Sequence, residues 1–231
     1  MRHELAVAAD ADDVAVRAAS YVAARAREAV ASRGQFSFAV SGGRTPWAMF
    51  TALATEDVPW ASIDLFQVDE RVAPDGDPSR NLTHLQESIG DAPARLHPMP
   101  VTDSGPSSAG GPSGAGLDAA AAWYAARLPV RFDLVHLGLG PDGHTASLVP
   151  GDPVLAVDDR LVAVTGPYQG QRRMTLTYPA LARADQLLWL ITGADKRDPL
   201  ARLLGGDESI PAGRVRAASS LVLADADAAP N

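Results

Sequence analysis

Five histidines and no cysteine are present among the 231 residues, so acid–base and nucleophilic chemistry has few side chains to draw on. One histidine is distinguished by its setting. In Gly138-Leu139-Gly140-Pro141-Asp142-Gly143-His144-Thr145-Ala146-Ser147, a carboxylate and an imidazole lie two residues apart on a glycine-constrained turn. Histidine titrates near neutrality and is the commonest general base. His144 beside Asp142 therefore suits activation of a water or removal of a substrate proton. Read literally, Gly138, Gly140 and Gly143 also satisfy the dinucleotide pattern G-x-G-x-x-G. That pattern belongs near the first strand of a βαβ unit and needs free N–H groups for a pyrophosphate. Here it falls past mid-chain, Pro141 removes a donor, and Asp142 would repel the phosphates. The turn reads as acid–base chemistry and not as a coenzyme cradle.

Three other segments carry chemistry. Ser41-Gly42-Gly43-Arg44-Thr45-Pro46 follows an apolar stretch and precedes a helical one. A strand, a glycine turn and a helix start aim backbone N–H groups at a cavity suited to phosphate, although ordinary strand-to-helix turns also look like this. Asp69-Glu70-Arg71 follows another apolar run. These charges are those of a solvated loop, or of a carboxylate aimed into a site with Arg71 as a bidentate phosphate ligand. Thr192-Gly193-Ala194-Asp195-Lys196 opens a helix with a lysine where the helix dipole prefers an anion. A phosphate bound there accounts for it, as does simple solvation. Arg172 and Arg173 add two cations with less positional information. A metal is the rival reading for Asp69, Asp142 and His144, but the chain has no thiols and no H-x-H or H-x-x-x-H pair. No metal site is expected.

These segments need a frame to bring them together. Apolar residues recur at helical spacing from Asp12 to about Ala31, after which Gly34 stops the helix. Strands are predicted at Phe36–Val40, Ile63–Val68, Phe132–Leu139, Leu161–Val164, Leu187–Thr192 and Leu221–Ala224. Helices are predicted from Thr45-Pro46, over Asn81–Ile89, over Leu117–Leu128 and over Ala194–Leu204. Alternating strands and helices argue for an α/β chain with a mainly parallel sheet covered on both faces. In such sheets ligands bind beyond the carboxyl ends of the strands, where all four segments fall. Thr102–Gly116, rich in Gly, Ser, Pro and Ala, reads as a flexible loop of about residues 102–116. No internal repeat or linker is evident, so a single domain over residues 1–231 is expected.

Twenty Lys and Arg against 28 Asp and Glu leave a net charge of −8, with no basic run. This disfavours nucleic acid and anionic membranes as partners. An anionic small molecule would have to be drawn by a few well-placed cations. Charged residues break the N-terminal segment that a signal peptide would need, and no apolar run is long enough to span a bilayer. Cytoplasmic residence is expected, and the Asn81-Leu82-Thr83 sequon is then accidental.

Taken in order, the segments S-G-G-R-T-P, D-E-R-x-x-P, Arg80-Asn81, G-L-G-P-D-G-H-T-A-S-L-V-P-G from Gly138 to Gly151, R-M-T-L-T and T-G-A-D-K resemble the 6-phosphogluconolactonase family. That family is a branch of the glucosamine-6-phosphate deaminase superfamily. The resemblance implies a modified doubly wound, Rossmann-like fold and hydrolysis of 6-phosphoglucono-δ-lactone in the oxidative pentose phosphate pathway, with no metal or coenzyme. It implies that His144 activates the attacking water and that Asp69 and Asp142 line the reacting end. Ser41, Gly42, Gly43, Arg44 and Thr45, with Arg71, Arg173 and Lys196, resemble its phosphate site. The sister deaminases share the D-G-H turn but carry a glutamate five residues after the histidine, where this chain has Val149. An alkyl side chain cannot exchange the protons that opening an amino sugar requires. Sugar-phosphate sensors of the same superfamily lose the histidine and add a DNA-binding segment. Here His144 is kept, and no helix-turn-helix precedes the fold.

Overall fold

The computed structural model describes residues 2–102 and 116–230. The expected loop at 102–116 therefore lies, apart from its two end residues, outside the described residues. The chain runs β1 (Glu4–Ala8), α1 (Ala11–Arg33), β2 (Phe36–Val40), α2 (Arg44–Leu53), β3 (Ile63–Gln67), β4 (Asp69–Arg71), α3 (Asn81–Ile89) and β5 (Arg95–His97). It continues with α4 (Gly116–Ala125), β6 (Leu134–Leu137), β7 (Val162–Val164), β8 (Arg173–Leu176), α5 (Tyr178–Leu181), β9 (Gln186–Ile191), α6 (Arg197–Leu204) and β10 (Ser219–Asp225).

Among the described residues seven strands form one sheet in the order β1-β10-β9-β6-β2-β3-β5, and every pairing in it is parallel. Residues alternate between the two faces, as the strand period of two requires. Phe36, Phe38, Leu134, Leu188 and Leu190 pack beneath α1 and α2. Ala39, Val135, Leu137, Leu187 and Trp189 face the opposite core. Near-continuous apolar strands follow from burial on both faces.

The helix over Asn81–Ile89 and the strand Phe36–Val40 lie where the sequence places them. Asp10 caps α1 by accepting the Asp13 N–H, and the helix stops at Gly34. Other expectations need correction. The helix read over Ala194–Leu204 opens with a 3₁₀ turn, Ala194–Lys196, before α6. Asp69–Arg71 is not a solvated loop: it is β4, in a second, antiparallel sheet of order β4-β8-β7. Asp69 is buried and Glu70 fully so. The reason is an acceptor–donor match. Glu70 Oε1 accepts the N–H groups of Arg71 and Asn81 at 2.8 and 2.7 Å, and Oε2 accepts those of Leu82 and Gln67 Nε2 at 2.8 and 2.9 Å. A buried carboxylate is tolerable when its lone pairs are filled in this way, and here it closes the N-terminus of α3.

β2 leads through α2 to β3 on one side, whereas β6 leads on to β9 on the other. The carboxyl ends of β2 and β6 therefore flank a topological switch point, the usual ligand crevice of such sheets.

Candidate active site

A cavity of about 340 Å³ opens at this switch point. The turn after β2 supplies one end of it. Gly43 precedes α2 without a side-chain cap, so the first N–H groups of the helix face the cavity with the positive end of its dipole. Gly42 is dictated by a neighbour: a Cβ there would lie 1.9 Å from Asn81 Oδ1. Thr45 Oγ1 lies 3.0 Å from Thr192 Oγ1, which ties this turn to the loop after β9. Lys196 comes from that loop and also lines the cavity, with its Nζ 2.7 Å from Asp195 Oδ2. Arg44 is exposed at the rim. Ser41 is buried, and its hydroxyl is spent on the His136 carbonyl at 3.3 Å.

The turn after β6 supplies His144. Asp142 Oδ1 lies 2.5 Å from His144 Nδ1 and accepts the His144 backbone N–H at 3.1 Å. Burial acts to raise the Asp142 pKa, but the His144 backbone N–H and the neighbouring imidazole outweigh it, and the carboxyl is held below its ordinary range. A carboxylate at Nδ1 fixes the proton there and leaves the Nε2 lone pair free. Gly140 makes room for the ring, since a Cβ there would lie 2.1 Å from His144 Nδ1. Tyr168 packs edge-on to the imidazole, with ring centroids 5.7 Å apart.

β4 supplies Asp69 and Arg71. Asp69 Oδ2 accepts the Ser147 hydroxyl at 2.6 Å, and Asn81 Nδ2 donates to the Asp69 carbonyl at 2.9 Å. Arg71 Nη1 donates to Ser79 O at 2.8 Å and Asn81 Oδ1 at 2.7 Å. One cavity thus gathers Ser41, Gly42, Gly43, Arg44, Thr45, Asp69, Arg71, His144 and Lys196. Arg173 does not line it, and neither does Asp142, which stands behind the histidine. Among the described residues no group of three His, Asp or Glu side chains is placed to hold a metal ion.

Sequence reasoning missed three contributors. Glu70 looked like a third surface charge, and no local signal shows its burial. Asn81 was visible only as half of an Arg-Asn pair and a sequon; its side chain is a buried brace between Asp69 and Arg71, unfit for a glycan. Tyr168 sits in an unremarkable stretch, and only the pairing of Tyr168 with Gln171 brings it over His144.

The family model described as glucosamine-6-phosphate isomerases/6-phosphogluconolactonase matches residues 9–223. A 6-phosphogluconolactonase of Synechocystis sp. is 38% identical over 191 residues, covering 81% of this chain and 79% of that protein. The 6-phosphogluconolactonase of Mycobacterium tuberculosis is 32% identical over 99% of this chain and 98% of its own length. The crystal structure of 6-phosphogluconolactonase from Thermotoga maritima superposes with a TM-score of 0.83 at 25% identity, covering 97% of this chain and all of that one.

Proposed function

The chain belongs to the glucosamine-6-phosphate isomerase/6-phosphogluconolactonase family, and on that premise we propose that it hydrolyses 6-phosphoglucono-δ-lactone to 6-phosphogluconate. The observation that carries this reading is one juxtaposition. A histidine with a carboxylate at Nδ1 shares a single cavity with the free amides of α2 and with Lys196.

The phosphate of the substrate sits at the α2 end, held by N–H groups of the Gly42–Thr45 turn and by Arg44 and Lys196. Gripping the far end of the sugar orients the lactone carbonyl toward His144. His144 Nε2 takes a proton from water as the oxygen adds to the carbonyl carbon. Asp142 holds the ring and stabilises the imidazolium, which then protonates the departing ring oxygen. Val149 stands where a deaminase would need a carboxylate.

A coupled assay tests this reading, with freshly generated 6-phosphoglucono-δ-lactone in one arm and glucosamine 6-phosphate in the other. Lactone opening well above the spontaneous rate, with no ammonia from the amino sugar, is the expected result. Ammonia release without lactonase activity overturns the proposal.

A further inference from the structure

Next to this cavity, and sharing His144 and Arg71 with it, lies a second chamber of about 90 Å³, walled by Asp69, Arg71, Ser147, Val149, Tyr168 and Arg173. It has room for a carboxylate and a few waters but not for a whole sugar phosphate. His144 and Arg71 line both spaces, whereas Lys196 lines only the first and Arg173 only the second. The two cations therefore face different spaces, and His144 borders both.

Arg71 and Arg173 are direct partners across the antiparallel β4–β8 pair, and like charges so placed repel. Arg173 is buried. Burial and the Arg71 charge both push its guanidinium below its ordinary value. Its Nη1 donates to the Tyr168 carbonyl at 3.0 Å, and its guanidinium lies 4.8 Å from the Tyr168 ring centroid. Arg71 Nε is buried and has no hydrogen-bond partner among the described residues. Among the described residues Asp69 is the one carboxylate in these walls, and it lies opposite Thr175 with one oxygen committed to Ser147. Two guanidinium groups against one carboxylate leave a positive chamber with donors to spare. Buried donors left unfilled are costly, and planar guanidinium forks match carboxylates.

We propose that the Arg71–Arg173 chamber is a carboxylate subsite, separate from the phosphate grip, that receives the carboxylate formed when the lactone opens. This rests on the lactonase reading. Water adds to the carbonyl carbon, the bond to the ring oxygen breaks, that oxygen takes a proton, and the new acid loses one to solvent. The carbon attacked must lie at His144, which borders the Arg71–Arg173 chamber as well as the phosphate cavity, so the new carboxylate forms beside that chamber. Arg173 is there.

The test is calorimetric binding of 6-phosphogluconate and of glucitol 6-phosphate, which has a CH₂OH in place of the carboxylate. Arg173→Gln is expected to weaken 6-phosphogluconate at least roughly ten-fold and glucitol 6-phosphate less than about two-fold. Lys196→Met weakens both alike. Equal losses on both ligands in Arg173→Gln, or none on either, overturn the proposal. Should that variant not fold, acetate titrated into the wild-type protein serves instead. Competition with 6-phosphogluconate but not with glucitol 6-phosphate supports the subsite, and any other pattern overturns it. Wild-type protein that binds neither sugar phosphate refutes the lactonase reading itself.

Discussion

At the α2 end of the cavity, the groups proposed to hold an anion are mostly backbone amides of consecutive residues, joined by Arg44 and by Lys196 from the next loop. At the β4–β8 end they are two guanidinium groups from strands far apart in the chain. Amide dipoles attract an anion without any ion being desolvated, so the first region is ready whether or not ligand is present. The second holds like charges side by side, Arg173 buried and Arg71 half-buried. It does so through Glu70, whose carboxylate also meets Arg80 at 3.4 Å, and through the Asn81 brace on Arg71. One end is built by local turn geometry, and the other by a long-range polar network that an anion would relieve.

The largest effect comes from removing what stands between the two regions. His144→Ala should lower kcat by roughly 10²-fold or more while leaving 6-phosphogluconate binding nearly unchanged, because neither anion grip is touched. Steady-state rates and calorimetry on the same preparation check this, and wild-type turnover would remove His144 from the base role.

The α2 end is broken selectively by Lys196→Met. Loss of a charge-assisted hydrogen bond, about 1.5–3 kcal/mol, corresponds to roughly 10- to 100-fold. The increase should fall on KM for the phosphorylated lactone. An unphosphorylated gluconolactone should react as before, and equal impairment on both substrates would place Lys196 outside the phosphate grip.

Glu70→Gln attacks the other end from behind. Replacing one partner of a buried, fully bonded ion pair costs about 3–5 kcal/mol of stability, read from the urea midpoint. In the fraction that stays folded, binding of 6-phosphogluconate should suffer more than binding of glucitol 6-phosphate. The reverse order would mean that Glu70 does not support the arginine pair.

The same contrast explains what could be read from the chain alone. The parallel sheet was legible because its strands are apolar on both faces and its helices alternate with them. The Gly42–Thr45 turn and the Asp142–His144 pair were legible because each is made by neighbours in sequence. β4 was not, since three adjacent charges mimic a solvated loop until their partners are known. Those partners are the N-terminus of α3 and Arg173, and no local pattern encodes either. Edge strand β1 was missed for another reason: Leu5 and Val7 remain exposed, so it lacks the doubly buried apolar run that marks its neighbours.

The smallest expected effect concerns the charge behind the histidine. Asp142 is held below the ordinary carboxylate value of 3.8, mainly by the His144 backbone N–H and imidazole acting against burial. A group whose folded pKa is depressed contributes stability above its unfolded pKa and loses that contribution as pH falls through the folded value. Through the assay range Asp142 therefore stays ionised, and lowering the pH to about 4 should not remove the support that its carboxylate gives to kcat. Asp142→Asn keeps a side chain of the same shape but removes the charge that favours the imidazolium. Its kcat should fall. Both regions of the cavity should then bind their anions as before, since Asp142 lines neither of them. Unchanged kcat in Asp142→Asn, or a loss of kcat matched by an equal loss of 6-phosphogluconate binding, would show that the carboxylate does not act through the histidine.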